Sequence, residues 1–226
     1  MANKHMPYDL AQMQSLPLEV KIRMTKYRIR EWYEHWDGMV YVSFSGGKDS
    51  TVLKHIVDSM YDDVPALFVN TGLEYPEIQK FAMSQKNVVT VRPEMRFDEV
   101  LTKYGYPVLS KELSLYIRQC QNPTPQNSTT RRLRLEGIRS DGTKVSKGEI
   151  SERWKYLVDA PFSISEKCCD VMKKIPAKKY GKETGRKPII GTMASESRLR
   201  YQKWLQHGCN AFDKNNPSSQ PLSFWT

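Results

Sequence analysis

The chain has 226 residues, of which 39% are hydrophobic and 27% charged. That is enough for one α/β domain with a core and a small appendage, and it carries no apolar run of membrane-spanning length. The net charge of +10 is uneven: residues 1–109 hold 13 Lys and Arg against 14 Asp and Glu, whereas residues 110–226 hold 22 against 11. The second half is therefore expected either to meet an anion, such as a phosphorylated nucleotide, a nucleic acid or an acidic protein, or to be a solvated basic face.

Four cysteines, Cys120, Cys168, Cys169 and Cys209, occur without Cys-x-x-Cys spacing. The start Met-Ala-Asn-Lys-His lacks the apolar stretch of a signal peptide, so the cytoplasm is the expected location. There, cysteines point to metal, redox chemistry or burial rather than to a disulfide framework.

In chain order, Ile22, Ile29, Trp32, Tyr33 and Trp36 fall on one stripe of a predicted amphipathic helix over 16–36, with Lys and Arg on the other faces. Its aromatics suit core packing or a base-stacking platform. Met39 to Phe44 reads as a buried strand, and Val52, Leu53, Ile56, Val57 and Met60 follow at helical spacing. Between them lies Ser45-Gly46-Gly47-Lys48-Asp49-Ser50-Thr51. Glycines before a helix N-terminus let backbone N–H groups approach an anion, and Lys48 and the hydroxyls add charge and hydrogen bonds. The Walker spacing is absent, because the glycines directly precede the lysine.

A second strand, Ala66 to Asn70, exits through Thr71-Gly72-Leu73-Glu74-Tyr75-Pro76-Glu77, which fits a loop at the ligand-binding edge of a parallel sheet. Asn87 to Val91 is a third strand. Helical faces follow at Phe97, Val100, Leu101 and Tyr104, and at Leu113, Ile117 and Cys120. Strands alternating with helices imply a doubly wound parallel sheet. Residues 121–150 interrupt this rhythm as a basic insertion containing Arg131, Arg132, Arg134, Arg139 and Lys144, either a lid or a solvated loop. Ser163 and Glu166 have the spacing of a capping box for a helix with Cys168, Cys169 and Met172. Pro188 to Gly191 is a fourth strand, and Ser195 is expected to cap a helix bearing Arg198, Leu199 and Trp204. The segment from Asn215 to Pro221 reads as loop, and Phe224-Trp225 as an exposed apolar end suited to a second subunit.

These motifs resemble the phosphoadenosine phosphosulfate (PAPS) reductase family, in the PP-loop group of adenine nucleotide alpha-hydrolase-like proteins. The resemblance rests on Ser45–Ser50, Asn70–Glu77, Cys168-Cys169 with Lys173-Lys174-x-Pro176, and Gly191-x-x-Ala194-x-Glu196-Ser197-Arg198. It implies a single Rossmann-like α/β domain over 1–226, with a doubly wound parallel sheet and flanking helices. It also implies an adenine nucleotide (PAPS, adenosine phosphosulfate or ATP) whose phosphate or sulfate meets Ser45, Gly46, Gly47, Lys48, Asp49 and Ser50. Thr71, Gly72 and Glu74 would lie near the adenosine, and Lys173, Lys174 and Arg198 near the remaining anionic groups.

By the same resemblance, a thiolate would attack the sulfonate sulfur with a thioredoxin-like electron donor, and Cys209 is the candidate nucleophile. Lys48 would stabilise charge on the departing phosphate. Cluster-bearing relatives use an adjacent cysteine pair, which makes Cys168, Cys169, Cys209 and Cys120 candidate ligands of a [4Fe–4S] cluster. The chain departs from the family in having Asn70 for the usual aspartate and Thr192-Met193 where an arginine usually follows the glycine. It also lacks a Glu-Cys-Gly motif and a downstream Cys-x-x-Cys. Relatives continue past the position of Thr226, so a C-terminally short version is expected. Two alternatives stand beside reduction. One is ATP-dependent adenylation with sulfur transfer, to a nucleic acid or a small molecule; the other is a nucleotide-binding module without catalysis.

Overall fold

A computed structural model describes residues 3–212 and 215–226. The chain divides into two compact units, one formed by the segments up to Arg92 and from Pro176 onward, the other by Pro93–Ile175.

The first unit opens with α1 (Pro7–Gln14) and α2 (Leu18–His35). It continues through β1 (Val40–Phe44), α3 (Lys48–Asp58), β2 (Ala66–Val69), α4 (Pro76–Ser84) and β3 (Val88–Val91). The second unit carries α5 (Phe97–Tyr104), α6 (Lys111–Gln121) and α7 (Ser128–Glu136). α8 (Ile175–Thr184) leads back to β4 (Lys187–Ile190), α9 (Arg198–His207), β5 (Asn210–Ala211) and β6 (Ser218–Ser219).

The sheet order is β3-β2-β1-β4-β6-β5. β1 pairs in parallel with β2 on one side and β4 on the other, and among the described residues the β5–β6 pairing is the one antiparallel pairing of the sheet. This is an α/β fold with a predominantly parallel sheet flanked by helices. β1 lies centrally, and its Val40, Tyr41, Val42 and Phe44 are buried, as a strand covered on both faces requires. Around it pack Ile29, Trp32, Leu53, Val57, Phe68 and Ile189. The α2 stripe is thus core rather than a stacking platform, because Trp32 and Ile29 are fully buried.

Several expectations change. Phe224 is 0% exposed, in a cluster with Leu10, Ala194, Trp204, Leu205 and Cys209. The Trp225 indole donates to Thr25 Oγ1 at 2.9 Å. The apolar end is therefore consumed within its own unit and gives no argument for a dimer. Residues 218–219, read as loop, pair with β4 and β5. The cap of α9 is Ser197, whose hydroxyl accepts from Arg200 N at 3.3 Å, not Ser195.

In the second unit, Ile117, Cys120, Ile150 and Ile164 form the core. The basic insertion contains a helix, α7, preceded by a short turn that Thr124 caps by accepting from Asn127 N. Its arginines are partly structural. Arg131 donates to the Cys120 carbonyl at 3.3 Å, and the Arg134 guanidinium sits 3.6 Å from the Tyr116 ring centre. The Ser163–Glu166 box does not form. Ser163 belongs instead to a segment whose neighbour Ile164 bridges Tyr106, and Glu166 turns inward to Arg118.

Candidate functional site

Strand order reverses at β1, so the loops leaving β2, β1 and β4 lie side by side at the carboxyl edge of the sheet. Such an edge is where parallel α/β sheets place ligands. The central loop is Ser45–Gly47. Gly46 has φ +74°, and a Cβ there would stand 2.9 Å from Ile78 Cγ2. Both facts demand glycine. Gly47 is different: its φ of −79° is open to any residue, and its value lies in leaving the mouth of the loop uncovered.

Hydroxyls hold the loop in shape. Ser50 Oγ accepts from Ser45 N at 3.2 Å and donates to the Gly47 carbonyl at 2.9 Å, while Thr51 Oγ1 donates to the same carbonyl at 2.9 Å. Ser45 and Ser50 hydroxyls are 3.1 Å apart. These bonds aim the free N–H groups of the first turn of α3 outward. The Lys48 side chain is 86% exposed, with the Asp49 carboxylate 3.7 Å away. In water so exposed a pair is worth little, and Lys48 is free to turn to a stronger anion.

The β4 exit backs this turn. A Cβ on Gly191 would lie 3.0 Å from the Asp49 carbonyl oxygen, so only glycine lets this strand end run so close to α3. Thr192 Oγ1 then meets Gln220 Oε1 at 3.2 Å. Glu196 accepts from Met193 N at 2.6 Å and pairs with Arg200. Burial alone would raise the Glu196 carboxyl, but the Met193 N–H and the Arg200 and Lys48 charges outweigh it and hold it below its ordinary value. Arg198 begins α9 and is exposed at the same edge.

On the other flank, Asn70 Oδ1 accepts from Gly72 N at 3.1 Å. Glu74 accepts from Thr71 N and Thr71 Oγ1 at 2.9 and 2.8 Å. Thr71 and Glu74 therefore close the β2-exit loop on itself, which makes them positioning residues. Of the residues singled out from sequence, Ser45 to Ser50, Thr71 to Glu74 and Arg198 share one sheet edge. Lys173 and Lys174 are carried by the second unit, where Lys174 Nζ is 2.8 Å from Asp170. Ile78 and Gln220 went unnoticed in the sequence, since neither a helix-face isoleucine nor a loop glutamine carries a local signal.

The cysteines depart from expectation. Cys209 is 7% exposed among Leu10, Trp204 and Phe224, and burial pushes its thiol up to about 11. It is protonated at neutral pH and a poor nucleophile. It also immediately precedes β5, three strands from β1, roughly 14 Å away at ordinary strand spacing. Native protein treated with iodoacetamide at pH 8 should therefore leave Cys209 unmodified while Cys169 reacts, as peptide mapping would read. Cys120 is buried in the core of the second unit, and burial raises its thiol. Among the described residues no group of three or more His, Cys, Asp or Glu converges on a metal position. The four cysteines do not fit a [4Fe–4S] site.

Residues 39–144, which contain the glycine loop and the β2 exit, match the model of the phosphoadenosine phosphosulfate reductase domain. This segment belongs to the PAPS reductase domain family. An uncharacterized protein of Methanocaldococcus jannaschii is 35% identical over 86 residues, covering 35% of this chain and 21% of that protein. The chain thus spans about a fifth of that relative's length. Among solved structures, the phosphate complex of phosphoadenylyl-sulfate (PAPS) reductase from Candida auris superposes with a TM-score of 0.47 at 12% identity, covering 100% of this chain and 84% of the other. Beyond the PAPS reductase domain lie β4, α9 and the cysteine pair, outside the matched segment. No helix among the described residues is long and apolar enough to cross a membrane.

Proposed function

We propose that the chain binds a sulfated adenine nucleotide at the carboxyl edge of its sheet and acts in thiol-dependent reduction of that nucleotide to sulfite. The observation that carries this reading is the coincidence, at the strand-order reversal, of a glycine-opened helix N-terminus with an exposed, weakly paired Lys48 and the Gly191–Arg198 loop behind it. The N–H groups of α3, Lys48 and the serine hydroxyls would take the phosphate and sulfate oxygens, and Arg198 a further anionic group. Asn70 and Gly72 shape the loop against which adenosine would rest.

In the reaction a thiolate attacks the sulfonate sulfur, the sulfur–oxygen bond to phosphate breaks, and the phosphate leaves with its pair of electrons. Lys48 stabilises the charge that develops there. A second thiol, from a thioredoxin-like donor, attacks the divalent sulfur of the resulting S-sulfonate, forming a disulfide and releasing sulfite. Cys209, buried and protonated at neutral pH, does not supply the first thiolate; a dithiol donor would supply both thiols.

The test is calorimetric titration with PAPS, adenosine phosphosulfate, ATP and AMP at fixed salt, beside the Lys48→Ala variant. A sulfated nucleotide should bind tightest, and Lys48→Ala should weaken it roughly 10- to 100-fold, as loss of one charge-assisted contact implies. Preference for ATP with release of AMP and pyrophosphate would replace reduction by adenylation and sulfur transfer. Binding of the sulfated nucleotide without sulfite release in the presence of a dithiol donor would leave a binding module.

A further inference from the structure

In the second unit, two adjacent thiols open onto a cavity lined by residues of that unit. Cys168 and Cys169 begin a helical run, with their Sγ atoms 4.0 Å apart. Cys169 is exposed and Cys168 partly so. With Pro107, Leu109 and Lys111 they line a cavity of about 220 Å³.

Three features there exceed what packing requires. Leu109 has φ +49° and is 64% exposed. For a bulky residue that conformation is strained, and the side chain is left exposed rather than buried. Asp170–Lys174 is a π-helical turn, in which Ile175 N donates to the Asp170 carbonyl. Such turns hold an extra residue and so have slack that an α-helix lacks. Lys111 lies within electrostatic range of both sulfurs and holds Asp170 at 3.2 Å. Burial and the neighbouring Cys169 sulfur raise the Cys168 thiol, and the Lys111 ammonium offsets part of that rise.

We propose that Cys168 and Cys169 are a redox-active pair that cycles between two thiols and a vicinal disulfide by exchange with a small disulfide of the glutathione class. Cys169, the more exposed, loses its proton and attacks one sulfur of the small disulfide. That S–S bond breaks, one small thiolate leaves, and a mixed disulfide remains on Cys169. Cys168, deprotonated in turn, attacks Cys169 Sγ, closing the ring and expelling the second small thiolate. The protein pair gives up two electrons, the small disulfide becomes two thiols, and the two cysteine protons pass to the departing thiolates.

Ring closure has a structural consequence. Neighbouring Cα atoms are about 3.8 Å apart, shorter than the roughly 4.4–6.8 Å that disulfides usually span. The bond is therefore strained and easily reduced, which is the property of a labile rather than a structural disulfide. Closing the sulfurs must distort the first helical turn. The π turn absorbs the change, and Asp170 shifts away from Lys111 and Lys174.

The experiment equilibrates fully reduced, chelator-treated protein with oxidised glutathione, quenches with acid and digests with trypsin. Cleavage after Lys167 and Lys173 releases Cys168–Lys173 as one peptide. That peptide should be lighter by two hydrogens and resist alkylation until reduced. Cys168→Ser should stop at a mixed disulfide on residue 169, and Cys169→Ser should react at least about tenfold more slowly. Lys111→Ala, which leaves both sulfurs in place, should slow the reaction roughly twofold to threefold through loss of a partly screened charge. Free alkylation of both cysteines after glutathione treatment overturns the proposal. So does a disulfide to Cys120 or Cys209, or mixed disulfides on both cysteines without ring closure.

Discussion

Gly46→Ala should abolish nucleotide binding at concentrations that saturate the parent protein and lower stability by about 2–4 kcal/mol. Two costs add. A non-glycine residue at φ +74° pays about 1 kcal/mol. The new methyl would also meet Ile78 Cγ2 at 2.9 Å, an overpacking worth about 1–3 kcal/mol. Relief by shifting the loop would turn the α3 N–H groups away from the anion position, so binding suffers more than folding. A double-mutant cycle separates the two costs. Ile78→Ala in the Gly46→Ala background should recover the clash, read as a higher denaturation midpoint, without restoring binding. If the single variant binds nucleotide as the parent does, the loop does not cradle the ligand. The contrast with Gly47 sharpens this: its extended φ and the nearest side-chain atom at 3.4 Å make Gly47→Ala tolerable to the fold.

The strand-turn-helix around Gly46 was legible because three signals coincide there: apolar alternation, a glycine pair and a helical apolar face. The β2 and β4 exits were legible for similar reasons, as was the α/β class. What escaped was everything decided by long-range pairing. Ser218-Ser219 has no strand propensity and becomes a strand because β4 offers an unpaired edge. Glu166 has the spacing of a capping residue, yet Arg118, 48 positions earlier, outcompetes the local backbone for it. Cys209 attracts notice as a thiol, but its reactivity is set by Leu10, Trp204 and Phe224, which lie far apart in the sequence. Phe224 looks like an exposed end until α1 and α9 are folded around it. Site geometry shows the same division: Lys48 could be read from its loop, whereas the engagement of Glu74 by Thr71 could not.

Arg118→Ala should destabilise the second unit by about 3 kcal/mol at pH 7, and that deficit should shrink as the solution is acidified. Glu166 is 7% exposed and bound by Arg118 through two hydrogen bonds, 2.9 Å from Nε and 2.8 Å from Nη2. Burial alone would raise the Glu166 carboxyl; Arg118 and a backbone N–H overcome that and hold it below its ordinary value. A carboxyl whose folded value is depressed contributes stability above its unfolded value, and that contribution is lost as pH falls through the folded value. Removing Arg118 leaves a buried carboxylate without its cation, the arrangement in which breaking an ion pair costs most. Its value must then rise above the unfolded one, so protonation stabilises the variant where it destabilises the parent. The gap between their denaturation midpoints, measured from pH 7 to about pH 4, should therefore narrow steadily, the latter being close to the unfolded carboxyl value. Glu166→Gln in the Arg118→Ala background should recover much of the loss at pH 7, since the amide is neutral and of the same shape. A gap constant with pH would show that Arg118 acts through packing of its methylenes rather than through its charge on Glu166.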